Sequence, residues 1–255
     1  MGDLAGHDIA RLRAENPGPF TLSGTNTWIL GRDPCWIVDP GPGLDEHVAA
    51  ILAEAAARGG AGGIALTHTH ADHAEALPAV REATGAPVAA MALQGADVAL
   101  ADGDAFGPLR AVATPGHAPD HLAFVFGTAC CTGDAVLGEG SVFVAPDPGA
   151  LRGYLAALEH LRTLGLDLLC PGHGPPVEDP DAKLRHYVEH RLDRERRLIE
   201  ALADGLRGTG ELLDRVWDDA PAMLRPAAAV TLAAHLDKLA EEDRLPDGVE
   251  RPAGF

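Results

Sequence analysis

His68-Thr69-His70-Ala71-Asp72-His73 places three imidazoles and one carboxylate within six consecutive positions. A short apolar stretch, residues 63–66, comes directly before it and predicts a buried strand. Residues 74–83 follow it with the spacing of a helix. The polar cluster therefore lies in the loop between a strand and a helix, where functional side chains are often found.

This cluster favours a metal centre. Four such groups are costly to bury without partners, and a divalent ion removes that cost because zinc is bound by imidazole nitrogen and carboxylate oxygen. His68 and His70 are two residues apart on extended backbone, so their side chains leave the same side. Asp72 and His73 then turn away, which favours a second metal ion beside the first. The alternative is a polar loop with solvated histidines.

Three further polar residues follow apolar strands later in the chain, each in a turn that contains glycine. Glycine lets the backbone approach a metal ion closely. One such turn would be weak evidence, but three in series after the histidine-rich segment strengthen the metal hypothesis. The candidates are His117 in Thr114-Pro115-Gly116-His117, Asp134 in Thr132-Gly133-Asp134, and His173 in Cys170-Pro171-Gly172-His173-Gly174.

The rest of the first 180 residues alternates between strand and helix patterns, which predicts an α/β fold with the site in loops at strand ends. Segments 20–22 and 27–30 flank Ser23-Gly24-Thr25-Asn26, which predicts a hairpin. The remaining predicted strands are 35–38, 63–66, 87–91, 110–114, 121–126, 129–131 and 167–170, and the predicted helices are 44–58, 74–83 and 150–164.

The pattern changes near residue 181, so we divide the chain into a catalytic domain, 1–180, and a C-terminal subdomain, 181–255. The subdomain begins with a long predicted helix, 183–204, whose first part carries more basic than acidic residues. Shorter helices are expected at 211–217, 221–224 and 228–245, and 244–251 is expected to form a small β-wing.

Charge and composition exclude several classes of protein. The formal net charge of −18 argues against coating of nucleic acid by bulk electrostatics. No run of 18 apolar residues is present, so we expect no membrane span. The four cysteines lack a disulfide framework spacing, and the N-terminus lacks the pattern of a secretory signal. We therefore expect reduced thiols and a cytoplasmic protein.

The ordered set of ligands resembles the metallo-β-lactamase superfamily, whose signature is HxHxDH followed by a later His, Asp and His. The resemblance implies an αββα sandwich and two zinc ions that share a hydroxide. It implies one zinc held by His68, His70 and His117, a second held by Asp72, His73 and His173, and Asp134 bridging the two. Asp72 would orient the hydroxide and take its proton, and is thus the catalytic candidate.

Shorter stretches narrow the resemblance to the β-lactamase-like protein 2 group, including the winged-helix-like tail found there. They include Asn16-Pro17-Gly18-Pro19, Gly24-Thr25-Asn26-Thr27, residues 133–140, Pro171-Gly172-His173-Gly174-Pro175, and His190-Arg191 with Arg194-Glu195. Many antibiotic-degrading relatives have Cys where Asp134 stands, so a β-lactam substrate is disfavoured. Diiron flavoprotein relatives have Glu where His70 stands, which favours zinc here.

Five other residues are candidates for supporting the ligands or contacting the substrate. Asp39 could hold a ligand histidine in one tautomer, or simply form a turn. His121 could line the pocket or be a plain strand residue. His186, His190 and Arg191 lie on the basic helix, which could bind an anionic group or be a solvated face paired with its own acids.

Three functions follow from these residues. The first is a binuclear zinc hydrolase of an ester or thioester of a small anionic molecule. The second, implied by the group resemblance, is a zinc-dependent endoribonuclease on single-stranded RNA. The third is a non-catalytic binding protein that uses the winged-helix-like tail. The complete ligand set argues against the third, and the charge of −18 favours the first over the second.

Overall fold

The computed structural model describes Leu4 and residues 6–252. Residues 1–3 and 5, which carry most of the segment tested for a secretory signal, lie outside the described residues. The described residues form two β-sheets. The first has the order β1 (Ile9–Arg13), β2 (Asn26–Leu30), β3 (Cys35–Val38), β4 (Ala61–Ala65), β5 (Val88–Ala90) and β6 (Val98–Ala99). The second has the order β11 (Leu168–Pro171), β10 (Ala129–Gly133), β9 (Leu122–Phe126), β8 (Leu109–Ala113) and β7 (Ala105–Phe106).

The two sheets pack face to face, because one apolar core contains Trp28 and Val38 from the first sheet and Ala111 and Phe124 from the second. Helices cover both outer faces. Since each sheet is buried on both sides, its strands read as continuous apolar runs rather than as alternating ones. The helices are α1 (Asp45–Ala57), α2 (Ala71–Ala74), α3 (Leu77–Thr84), α4 (Ala150–Arg162), α5 (Pro180–Ala203), α6 (Thr209–Val216), a 3-10 turn (Ala222–Leu224) and α7 (Arg225–Glu241). The predicted αββα sandwich is confirmed.

Helix α5 connects the sandwich to a fourth apolar core at the C-terminal end. The Asp179 side chain accepts a hydrogen bond from the Ala182 N–H at 3.0 Å, and Pro180 occupies the first turn, where its missing N–H costs nothing. Leu198, Leu212 and Leu236 bring α5, α6 and α7 together in this core. The boundary at 180/181 thus falls at the start of a helix that also packs on α4, and it stays a prediction.

Two local predictions are wrong. Segment 20–22 does not form a hairpin with β2, which instead pairs antiparallel with β1, and residues 18–22 form a turn closed by a Gly18–Leu22 bridge. Pro19, the preceding Pro17 and exposed Phe20 suit a turn better than a strand. Segment 244–251 forms no strand either, because it folds back so that Glu250 N–H bonds to Arg207 O at 2.8 Å.

The structure bears on two expectations, that the cysteines form no disulfide and that the chain has no membrane span. Cys35, Cys130, Cys131 and Cys170 are all free and buried. Among the helices that the structure describes, none has the length and apolar character needed to cross a membrane.

Candidate metal centre

The histidines and aspartates predicted as ligands come together at one edge of the sandwich. His68 and His70 follow β4, and Asp72 and His73 lie on the single turn of α2. His117, Asp134 and His173 follow β8, β10 and β11, three strands of the second sheet that run in the same direction. The carboxyl ends of these strands meet at one edge, so residues more than a hundred positions apart share one site.

Three imidazoles form the first group. Nδ1 of His70 lies 3.0 Å from Nε2 of His68 and 3.0 Å from Nε2 of His117. Oδ2 of Asp134 lies 3.5 Å from the same His117 nitrogen. His68 and His117 are buried, whereas His70 is exposed, so this group opens toward solvent on the His70 side.

A second group lies on the other side of Asp134. Nε2 of His73 lies 3.3 Å from Nε2 of His173, which in turn lies 3.2 Å from Oδ2 of Asp72. Oδ1 of Asp134 lies 3.3 Å from His173 Nε2 and 3.5 Å from His73 Nε2. The two carboxylate oxygens of Asp134 therefore face different groups of histidines.

These contacts fit metal ions better than hydrogen bonds. One proton cannot satisfy His70 Nδ1 against two other imidazole nitrogens at 3.0 Å, and buried Asp134 Oδ1 lacks a hydrogen-bond partner among the described residues. Ligand atoms bonded at about 2.0–2.1 Å to a tetrahedral zinc ion would lie roughly 3.3–3.4 Å apart. The observed separations of 3.0–3.5 Å are close to that spacing. Nitrogen and carboxylate donors are also those that zinc and iron accept.

The electrostatics of the second group call for a cation. Burial alone would raise the pKa of Asp134, but His73 and His173 hold it well below its ordinary value. Burial lowers the pKa of His173, yet the nearby carboxylates of Asp134 and Asp72 outweigh it and raise the pKa to about 9. Without a metal ion, protons on the imidazoles must therefore balance the two carboxylates. A divalent ion would supply that positive charge directly.

In the first group, the pKa values of two histidines are lowered. Burial lowers the pKa of His117 to about 4, and it also lowers the pKa of His68, with further lowering from His73 and His121. These imidazoles are therefore neutral at physiological pH. Neutral imidazole is the form that binds a metal ion, so no proton has to be released from them first.

Asp39 and His121 contact the proposed ligands through hydrogen bonds and ring stacking. Oδ2 of Asp39 lies 2.9 Å from Nδ1 of His73, and Thr67 donates to both Asp39 oxygens at 2.7 Å. His121 is fully buried rather than lining the cavity. Its Nε2 accepts from Asp134 N–H at 3.1 Å, and its ring stacks on that of His68 at 4.9 Å.

Sequence reasoning noted the segment Gly24-Thr25-Asn26-Thr27 but assigned it no role. Thr25 Oγ1 donates to Asp72 Oδ2 at 3.4 Å and accepts from Asn16 Nδ2 at 2.9 Å. Asn26 Nδ2 donates to the carbonyls of Pro171 and Gly174, both at 2.9 Å, on either side of His173. These buried polar residues directly precede and begin an otherwise apolar strand, a signal that could have marked them as supports.

A cavity of about 830 Å³ adjoins the candidate centre. His186, His190 and Arg191 line it on α5, so the structure brings all three near the site. Arg191 is only 2% exposed, and its guanidinium donates to Val142 O and, at 3.4 Å, to Ser141 Oγ. Arg191 therefore fixes the cavity wall, whereas His186 is exposed and His190 half-buried.

Comparisons with known proteins agree with this fold and site. Residues 20–99 and 96–173 match the model of the Metallo-beta-lactamase superfamily, and residues 209–246 match the Beta-lactamase associated winged helix domain. A Beta-lactamase-like protein 2 homolog from Caenorhabditis elegans is 32% identical, over 92% of this chain and 84% of its own length. An Atrochrysone carboxyl ACP thioesterase from Aspergillus fumigatus is 30% identical, over 86% of this chain and 76% of its own length.

A solved structure extends the likeness to the C-terminal helices. A metallo-beta-lactamase family protein from Thermus thermophilus superposes with a TM-score of 0.74 and 24% identity, over 92% of this chain and 94% of that one. The predicted resemblance is confirmed, and a winged-helix domain follows the catalytic fold. The matched sequence models and the shared fold place this chain in the metallo-β-lactamase superfamily of hydrolases.

Proposed function

We propose that this chain is a binuclear zinc hydrolase that acts on an ester or thioester of a small anionic molecule. The observation that carries the proposal is the position of Asp134. Its Oδ2 lies 3.5 Å from His117 Nε2, and its Oδ1 lies 3.3 Å from His173 Nε2. A carboxylate that faces two groups of histidines through different oxygens suits a pair of ions better than a single one.

Each ion would take its ligands from one group. The proposed ligands are His68, His70 and His117 for the first ion, Asp72, His73 and His173 for the second, and Asp134 between them. When bound, the ions would supply a water-derived nucleophile near neutral pH and polarise the acyl oxygen.

Asp72 is the proposed proton acceptor. Its side chain is 30% exposed and lines the cavity, so it can reach a water molecule there. Hydrolysis of a thioester forms a bond between water oxygen and the acyl carbon and breaks the carbon–sulfur bond. Asp72 would hold the proton released by water and return it to the departing thiolate, which gives a thiol and a carboxylic acid, and the acid then loses its proton to solvent.

The charged groups that line the cavity favour a small substrate over RNA. Lys183, His186 and His190 line the cavity on α5, and Lys183, which also donates to Gly138 O at 2.9 Å, supplies one positive charge for an anionic group. Arg194, by contrast, is held by Asp219, with both Oδ atoms 2.7 Å from Nη2. A polynucleotide needs a cationic track with several free charges. The Aspergillus fumigatus relative is named for cleavage of a thioester, which agrees with the first hypothesis.

A substrate screen with metal analysis tests the proposal. Purified protein is assayed with thioesters, lactones, phosphodiesters and labelled RNA, and its zinc content is measured. We expect thioester or ester hydrolysis by protein that holds about two zinc ions per chain. The activity should disappear in His68→Ala and Asp134→Ala, while Asp147→Ala, a change at an exposed aspartate, should match the wild type.

Two results would overturn the proposal. Activity that survives Asp134→Ala would remove the basis for a binuclear centre. Salt-dependent binding and cleavage of single-stranded RNA, without hydrolysis of any ester, would favour the endoribonuclease instead.

A further inference from the structure

The cavity beside the candidate centre has a second, apolar end. Near the centre it is lined by His70, Asp72 and His117. At its other end the lining residues come from the C-terminal helices and are mostly apolar. The apolar ones are Trp217, Ala220, Pro221, Leu224, Pro226, Ala227, Ala228 and Val230, and the polar ones are Thr231, Arg194 and Asp219.

The polar atoms at this end are already engaged. Thr231 Oγ1 bonds to Ala227 O at 3.2 Å and to Val144 N at 3.3 Å. Arg194 is bound to Asp219 and to Val216 O, and its guanidinium lies over the Trp217 ring at 5.7 Å from the centroid. The wall therefore offers a ligand mainly hydrocarbon.

The cavity is also larger than a short acyl group needs. At about 830 Å³ it falls in the range of pockets that bury most of a drug-sized ligand, lined mainly by apolar side chains. Trp217 and Ala228 are 6% and 7% exposed, whereas Leu224 and Ala227 are half-buried and Pro221 and Pro226 are exposed, so this end runs from a buried wall to an open rim. An acetyl group held at the centre would leave that apolar surface in contact with water.

Resting on the hydrolase function proposed above, we propose that the C-terminal end of the cavity binds the apolar acyl body of the substrate, and that Trp217, Leu224 and Ala227 set its permitted size. The acyl group, rather than the leaving group, suits this end. A thiol carrier is polar and bulky, and the exposed residues Glu139, Gly140 and Ser141 line the solvent side of the same cavity.

Binding of thioethers tests this without catalysis. S-octyl- and S-butyl-N-acetylcysteamine lack the acyl oxygen and are not hydrolysed, so isothermal titration calorimetry of the metal-loaded protein reports affinity alone. Each buried methylene tightens binding roughly fourfold, so we expect the octyl compound to bind at least about tenfold more tightly than the butyl compound.

Substitutions on α7 locate the site. Ala227→Trp fills the proposed acyl region and should weaken octyl binding by about tenfold or more, with butyl binding changed by less than about threefold. Ala240→Trp places the same side chain at an exposed position of α7 outside the cavity and should change neither affinity. Leu224→Trp, on the 3-10 turn, blocks the cavity from a second element should the first variant fail to fold.

The outcomes separate this inference from the hydrolase function. Equal affinity for the two thioethers, or unchanged octyl binding in both blocking variants, would overturn the acyl site. Thioester hydrolysis with equal kcat/KM for butyryl and octanoyl substrates would also overturn it while leaving the hydrolase intact. Octyl binding that Ala227→Trp abolishes, in a protein that hydrolyses no ester, would support the acyl site and contradict the hydrolase.

Discussion

Asp39 Oδ2 lies 2.9 Å from His73 Nδ1, and both side chains are buried. Because Thr67 donates its N–H to one Asp39 oxygen and its hydroxyl to the other, the carboxylate has no freedom to rotate away. Asp39 therefore holds the His73 proton on Nδ1 and leaves the Nε2 lone pair directed at the candidate centre. This arrangement fixes the tautomer of a ligand that would otherwise have two.

Asp39→Asn should weaken metal binding while the fold is kept. In one orientation the new amide group would face His73 Nδ1 and move the ring proton to Nε2, the proposed ligand atom. In the other it would face the Thr67 N–H, donor against donor. We expect zinc affinity, measured by competition with a chelating dye, to fall by roughly 10- to 100-fold.

The matched control is Asp45→Asn, an exposed aspartate at the start of α1. It removes one negative charge without touching a histidine and should leave zinc affinity unchanged. Equal affinity in Asp39→Asn and wild-type protein would contradict the assigned role of Asp39.

The proposed ligands could be recognised in the sequence because each one has a signal in the residues next to it. Each lies just after an apolar strand, and the carboxyl ends of neighbouring strands that run in the same direction share an edge. His68, His70 and His73 are also close in the chain, so only His117, Asp134 and His173 required the sheet order. Short apolar runs between glycine-rich turns predicted an α/β fold, and the resemblance to the metallo-β-lactamase superfamily implied the sandwich.

Thr25 and Asn26 were not assigned as supports, because a local pattern can mark them as polar residues at a strand start but cannot show which distant residues they contact. Thr25 reaches Asp72 across 47 positions, and Asn26 reaches the loop of His173 across about 145. The pairing of β2 with β1 was missed because β1, residues 9–13, contains two arginines and has no strong strand signal. On α5, helical spacing places His186 and His190 on one face and Arg191 in the adjacent row, but only packing shows that Arg191 hydrogen-bonds to Val142 O in the cavity wall.

Thr25→Val should slow catalysis through Asp72. Valine keeps the shape of threonine but removes the hydroxyl that joins Asn16 to Asp72. We expect kcat to fall about tenfold with KM and zinc content unchanged, since all the proposed ligand side chains remain and only the placement of Asp72 is disturbed. Kinetics with a thioester substrate and metal analysis measure both. Thr25→Ser restores the hydroxyl and should recover most of kcat, and failure to recover would refute the positioning role.

Arg194→Met should destabilise the C-terminal subdomain. The Arg194 side chain is 6% exposed and joins α5 to Val216 O and Asp219 beyond α6. Losing the buried partner removes several hydrogen bonds at once, so we expect a loss of about 3 kcal/mol in the free energy of unfolding. Urea denaturation followed by tryptophan fluorescence measures it, because Trp217 lies beside this guanidinium.

Two comparison variants change exposed members of ion pairs. Asp219→Asn should cost only about 0–1 kcal/mol, since the Asp219 side chain is 63% exposed and water can replace it. Arg196→Met removes an arginine that is 59% exposed and should also cost about 0–1 kcal/mol. Losses of equal size in all three variants would mean that Arg194 contributes no more than a surface ion pair.

His235→Leu should stabilise the protein, and more so at acidic pH. His235 is fully buried, and neither ring nitrogen has a hydrogen-bond partner among the described residues. Burial holds its pKa well below the ordinary value, and nearby positive or titrating groups lower it further. These are Arg191, Lys238, His190 and Arg194. The imidazole therefore stays neutral in the native state, which makes leucine an acceptable replacement at pH 8.

The sign of the pH dependence follows from proton uptake. Below about pH 6.5 the unfolded chain takes up a proton on His235 that the native state excludes, so wild-type stability falls by about 1.4 kcal/mol per pH unit from this residue alone. His235→Leu removes that loss. Its gain in unfolding free energy should be about 2 kcal/mol larger at pH 5 than at pH 8, as measured by urea denaturation of both proteins at each pH. A gain that is the same at both pH values would contradict the lowered pKa of His235, because it would mean that the native and unfolded states take up the same number of protons at this position on acidification.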